Sequence, residues 1–291
     1  MKAIYKRLLR ASTIAFFALG FAFYHSTDLE SAFAQQNQNA ITSLNNNTVS
    51  YSYNIYNGSN TLPLNGSSVS YHDNVTGYLV YPDNAQEKLP AVIMIHEWWG
   101  LNEHIKNQAD VLAREGYVVL AVDLYNGKVA SDPGRAGELA SSVRNDMASA
   151  LENLQSAVSY VRSLESVNTN KVASLGWCFG GDWSIQLAVN STENPLAATI
   201  LYYGRPVTEP DSLSNISWPV LGIFGDQDQA IPVESVEQFA SALNASEVTN
   251  EIYLYEGVGH AFANPSGDNY APKETADAWQ KTLAFLETHL E

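Results

Sequence analysis

Cysteine occurs once in this chain, at Cys178, which excludes an intramolecular disulfide and leaves the fold to be held by its core alone. Positive charge is scarce as well: 15 Lys and Arg stand against 31 Asp and Glu, a formal net charge of −16. Such a field disfavours nucleic acid and anionic membrane as partners and favours solubility, while saying nothing of the fold. Long apolar runs are also missing. The run at residues 11–23 falls short of the ~20 residues a membrane helix needs. With Lys2, Lys6, Arg7 and Arg10 before it and Ala32-Phe33-Ala34 behind it, it reads as a secretory signal with a small-x-small cleavage site. Residues 1–34 are therefore expected to be removed, giving an exported chain that begins near Gln35 and has no membrane insertion of its own. An uncleaved anchor is the alternative, and the lack of cysteine near the site excludes a lipid-modified one. Cleavage would remove four basic and two acidic residues and leave −18.

What remains is enough for one core, since 45% of the residues are hydrophobic and a mature length near ~250 residues suits a single domain. Residues 35–68 are rich in Asn, Ser, Thr, Gln and Tyr and keep no lasting period, so they read as a polar, low-complexity arm. Glycan-acceptor tripeptides occur there and just beyond, at Asn46, Asn57, Asn65 and Asn74. From Val69 to the end, short apolar strands alternate with helical stretches. Strands are expected at 77–81, 91–95, 117–122, 172–176, 198–202, 220–224 and 251–255. Helices are expected at 103–115, 144–164, 182–189, 233–243 and 275–289, with a loop at 131–137. Alternation of this kind implies an α/β fold with a mostly parallel sheet covered on both faces.

The chemistry centres on Gly176-Trp177-Cys178-Phe179-Gly180, which lies between an apolar strand and a helix. A sharp strand-turn-helix bend needs small residues two before and two after the nucleophile, the pattern of the α/β-hydrolase elbow. Here cysteine holds the usual serine position, and the helix N-terminus pointing at its sulfur favours the thiolate. In a parallel sheet the other active groups belong after the carboxyl ends of strands. One such loop carries Asp226 and Asp228, and the next carries His260 in Gly259-His260-Ala261-Phe262. The order Cys, Asp, His is the triad order of this fold, and spacing alone leaves either aspartate open. A third loop, His96-Glu97-Trp98-Trp99-Gly100, is placed to lend a backbone N–H at Trp98 to an oxyanion hole, with the other from Phe179. Trp98, Trp99, Tyr125, Trp177, Tyr203 and Phe262 are candidates for an aromatic pocket wall. His96-Glu97 is not a zinc motif, because His104 lies eight residues after His96; no metal and no cofactor is expected.

From about Val75 onward the sequence resembles the dienelactone hydrolase (carboxymethylenebutenolidase-like) family. The resemblance rests on Glu97 in His-Glu-Trp-Trp-Gly, on Asp123-Leu124-Tyr125 and on Gly176 to Gly181. It rests also on Tyr202-Tyr203-Gly204, Asp228-Gln229-Ala230-Ile231-Pro232 and Gly259 to Phe262. It implies an α/β-hydrolase domain over residues 69–291 acting on a small ester or lactone. It selects Asp228 as the triad acid, and implies that Glu97 engages the resting thiol and accepts its proton when substrate binds. It also implies two arginines for a substrate carboxylate. Arg135 is the candidate for the first, and the second position holds the neutral Asn264. Two other readings fit the residues: a silent hydrolase-fold protein that binds a surface glycan or other ligand, and an enzyme that passes its acyl group to an acceptor other than water. Monomer and homodimer fit equally.

Overall fold

The computed structural model describes residues 62–83 and 85–290. The expected leader, its cleavage site and most of the polar arm lie outside them. Eight strands form one sheet in the order β1-β2-β4-β3-β5-β6-β7-β8. Strands β1 (Leu64–His72) and β2 (Val75–Pro82) make an antiparallel hairpin at one edge, and β2 pairs antiparallel with β4 (Val118–Val122). From there β3 (Leu89–Ile95), β5 (Val167–Trp177), β6 (Ala198–Tyr202), β7 (Val220–Gly225) and β8 (Asn250–Tyr255) run parallel. Every residue of β4, β6 and β7 is buried, the continuous apolar pattern of strands covered on both faces.

Helices join the strands: α1 (Glu103–Arg114), α2 (Pro133–Asn145), α3 (Met147–Ser163), α4 (Phe179–Val189), the short α5 (Pro210–Leu213), α6 (Val233–Ala245) and α7 (Pro272–Leu290). Asn102 caps α1 by accepting the Ile105 N–H at 3.2 Å, which satisfies one of the helix's orphan donors. Among the described residues no helix is long and apolar enough to cross a membrane.

Besides β5, which begins at Val167 and not at Val172, two stretches differ most from the sequence expectation. The sheet begins at Leu64, inside the stretch read as arm, and not at Val69. The first part of β1 is largely exposed and is held by its pairing with β2, so hydropathy carries no sign of it. The second difference is that residues 131–137 are not a loop and 144–164 are not one helix. Asp132 accepts the Arg135 N–H at 3.0 Å and Pro133 opens α2. Asp146, at φ −125° and ψ 66°, ends α2 and caps α3 by accepting the Ser149 N–H at 3.2 Å. Pro at the first helical position and Asp before it are helix-start signals, and here they outweigh the Gly content.

The antiparallel edge is tied to the end of β4 through one hydroxyl. Buried Tyr71 accepts the Asp123 N–H at 3.0 Å and donates to Asn153 Oδ1 at 2.7 Å, while Asn153 Nδ2 donates to the Asp123 carbonyl at 3.1 Å. Tyr71→Phe orphans both partners inside the core. It is expected to lower stability by about 1–3 kcal/mol, read as a reduced urea midpoint at unchanged slope.

Candidate active site

Cys178 sits between β5 and α4 at φ 54° and ψ −119°, a backbone region that costs a non-glycine residue about 1–3 kcal/mol. The bend is pinned on both sides. The Cys178 N–H donates to the Tyr202 carbonyl, and the Asp182 N–H donates to the Cys178 carbonyl, both at 3.0 Å. The flanking glycines follow from space: a Cβ on Gly176 would overlap the Gly180 carbonyl, and one on Gly180 would overlap the Ile95 carbonyl. At the next strand end Gly181 and Gly204 touch in the same way, a Cβ on Gly181 meeting Gly204 Cα at 2.9 Å. Strain recurs at the neighbouring strand ends, in Tyr203 (φ 37°) and Ala261 (φ 60°).

Three strand ends bring three side chains into line. Cys178 Sγ lies 3.0 Å from His260 Nε2, and His260 Nδ1 lies 2.7 Å from Asp228 Oδ2. The other oxygen of Asp228 accepts the Ala230 and Ile231 N–H groups at 2.8 and 3.0 Å, so the carboxylate is held from its own loop. Asp226 instead accepts the Gly257 N–H at 2.7 Å and braces the turn before His260. Burial by itself would depress His260. The hydrogen bonds and charges of Asp228 and Cys178 outweigh it and hold the imidazolium up to about 10.

Glu97 is buried and faces the same cavity as Cys178. Its hydrogen-bond partner is Asn264, whose Nδ2 donates to Oε2 at 2.5 Å, while Cys178 is paired with His260. Burial, partly offset by Asn264 and by the charge of His260, pushes the carboxyl up to about 7. His96 is a neutral staple. Its Nε2 accepts the Leu124 N–H at 3.1 Å, which leaves the proton on Nδ1 to be donated to the Glu97 carbonyl at 2.6 Å. Complete burial lowers its pKa further. The Trp98 carbonyl accepts the Tyr125 hydroxyl at 3.1 Å, and the Glu97 carbonyl accepts the Gly100 N–H at 3.1 Å. The backbone carrying the Trp98 N–H is thus fixed from both β3 and β4, and the Phe179 N–H opens α4, where helix geometry supplies no partner.

The cavity over Cys178 measures about 500 Å³, within the range of small-molecule sites. Trp98 and Trp99, 5.1 Å apart at 62°, form part of its wall. The other predicted wall residues lie elsewhere. Tyr125, Tyr203 and Phe262 are buried in the core; Tyr203 packs edge-on against His260 at 5.3 Å and against Phe262 at 5.6 Å. Trp177 is buried against Tyr202. Large aromatics next to strand ends are claimed by the core here. Arg135 is exposed on α2 and paired with Glu138 at 2.9 Å, because the stretch expected as a loop is helical and carries it away from the cavity. Asn264 and His96 were missed as supports for Glu97. Arg144, outside the expected site, braces the elbow instead: it binds Asp182 at 2.9 Å and lies over the Phe179 ring at 5.4 Å. The only sequence signal for His96 was its adjacency to Glu97. Among the described residues no group of acidic, His or Cys side chains is arranged to hold a metal ion.

The profile of the dienelactone hydrolase family matches residues 75–290. The chain belongs to the dienelactone hydrolase family. Relatives match more than three quarters of it. A protein named as a candidate carboxymethylenebutenolidase of Aquifex aeolicus is 30% identical over 234 residues, 78% of this chain and 100% of the relative. The crystal structure of a candidate dienelactone hydrolase from Klebsiella pneumoniae superposes with a TM-score of 0.69 at 28% identity, covering 77% of this chain and 99% of that one. The dienelactone hydrolase of Anabaena variabilis, 19% identical with a TM-score of 0.60 over 79% of this chain and 99% of its own, shares the fold.

The shifted carboxyl of Glu97 has a consequence for stability. An unfolded Glu97 titrates near 4.5 and the folded one near about 7, so the native state binds the proton more tightly. That contribution is complete below pH 4.5 and is lost as pH rises through 7. Glu97→Gln, which keeps an acceptor for Asn264, is expected to be more stable than wild type at pH 8 by up to about 3 kcal/mol. The gain should vanish at pH 4.5, as read from urea melts at the two pH values.

Proposed function

We propose that this family member is an exported, cofactor-independent hydrolase that cleaves a carboxylic ester or lactone through a thioester acyl-enzyme. One observation carries the reading: an unbroken line from Cys178 Sγ through His260 to Asp228, at 3.0 and 2.7 Å, mounted on the N-terminus of α4. His260 Nε2 stands within hydrogen-bond reach of the sulfur, the placement a base needs to exchange a proton with the nucleophile.

The steps follow from that placement. Cys178 Sγ attacks the carbonyl carbon, and the electron pair moves to the carbonyl oxygen, which the N–H groups of Trp98 and Phe179 hold. When the tetrahedral adduct collapses, the bond to the alkoxide breaks and His260 Nε2 gives that oxygen its proton. In a lactone the alcohol stays attached, as the ring opens. The imidazole, now neutral and held by Asp228, takes a proton from water as the water attacks the thioester. The second adduct collapses to the carboxylic acid and the Cys178 thiolate, and His260 keeps the proton. Glu97, beside the same cavity, is the base that would take the thiol proton in a state where His260 does not.

Turnover of 4-nitrophenyl acetate, with intact mass recorded during reaction, tests this. Wild type should carry a +42 Da adduct, the mass of an acetyl group replacing hydrogen, while Cys178→Ala should carry none and lose about 10³-fold or more in rate. Asp228→Asn should lose on the order of 10²–10⁴-fold with the adduct still forming. Wild type that releases nitrophenol no faster than Cys178→Ala contradicts the reading. For export, mass analysis of the chain recovered outside the cytoplasm should place its N-terminus at Gln35; a chain beginning at Met1 opposes it.

A further inference from the structure

We infer that the cavity selects an electroneutral ester or lactone and turns away acyl groups that carry a carboxylate, an inference that rests on the hydrolase reading above. Among the described residues, no Lys or Arg lines it. Its polar wall consists of the amides of Asn102, Asn264 and Asn269, the Ser266 hydroxyl, the Cys178 sulfur, the imidazoles of His104 and His260 and one carboxyl, that of Glu97; burial lowers His104 to about 4, so that ring is neutral at pH 7.5. The apolar wall is the Trp98–Trp99 pair. A carboxylate drawn in from water would need a cation or several donors to replace its hydration.

The position beside Glu97 is filled by a neutral group whose orientation is fixed. Asn264 Oδ1 accepts the Ser266 N–H at 2.9 Å, so the amide nitrogen must face the other way, and it donates to Glu97 at 2.5 Å. Asn264 thus satisfies Glu97 with a hydrogen bond and brings no positive charge to it. Among the described residues that line the cavity the one cation is His260, already placed between the Cys178 sulfur and Asp228. Arg144, whose guanidinium lies over the Phe179 ring, is bound to Asp182, and Lys106 on α1 is bound to Glu103 at 2.7 Å. An incoming carboxylate would therefore meet Glu97 and the sulfur with nothing to pair with. A neutral acyl group loses no such hydration and gains the indole faces.

The test uses two esters with one leaving group and one chain length: mono-4-nitrophenyl adipate, which carries a free carboxylate, and its methyl ester, which does not. At pH 7.5, after subtraction of uncatalysed release, kcat/KM for the methyl ester should exceed that for the acid by tenfold or more. Ser266→Arg puts a cation at the cavity rim from an exposed position, where folding is not at risk. It should narrow the ratio at least threefold by raising the rate on the acid. Equal turnover of the two esters, or preference for the acid, overturns the inference and leaves the hydrolase standing. If neither ester is turned over, the hydrolase reading fails, and alkylation of Cys178 decides the inference alone. The rate ratio of iodoacetamide to iodoacetate should then exceed that for a small free thiol; a ratio at or below that value overturns it.

Discussion

The site depends on one imidazole that must satisfy two partners at once. His260 reaches the Cys178 sulfur with one nitrogen and the Asp228 carboxylate with the other, and each of the three residues follows a different strand, β5, β7 or β8. A shift of any one strand along the sheet would break a contact. The parallel register, Leu175 beside Ile200, Leu201 beside Gly222 and Ile223 beside Tyr253, is therefore what keeps the three side chains in line. Strained backbone at Cys178, Tyr203 and Ala261 is the local cost of presenting side chains from these ends, and a core with fully buried central strands can hold it.

Around that line the structure spends its buried polar groups on fixing backbone. His96, Tyr125 and Asp123 bind main-chain N–H or C=O groups at the ends of β3 and β4. Tyr71 joins the antiparallel edge to the same point. These groups touch no substrate in the mechanism above. They set where the Trp98 N–H and the Glu97 carboxyl stand, and a hydrogen-bonded scaffold of this kind is what preorganised oxyanion binding requires.

Much of this was legible in the sequence. Alternating strands and helices gave the parallel sheet, because strands buried on both faces are continuous apolar runs. The Gly-x-Cys-x-Gly turn pointed to the elbow because its glycines are forced by backbone overlap with Gly180 and Ile95. What stayed hidden has physical reasons. Strand β1 is made by pairing and not by burial. Helix α2 is started by capping at Asp132 and Pro133 within a Gly-containing stretch. The aromatic wall was over-read, since Tyr203 and Phe262 have the composition of a pocket and the location of a core. The hydrogen bond between Glu97 and Asn264 spans 167 positions of chain, a pairing that no local pattern encodes.

The central claim is that His260 rests as an imidazolium between a sulfur and a carboxylate, and its own titration tests this most directly. In protein labelled with ¹⁵N-histidine, the ring nitrogens of His260, assigned through loss of the signal in His260→Gln, are followed by NMR from pH 5 to 11. The account predicts a doubly protonated ring through pH 8 that titrates near about 10, and a fall in that midpoint in Cys178→Ala. A ring that loses its proton between pH 6 and 7 in wild type, unchanged by removing the sulfur, would contradict it.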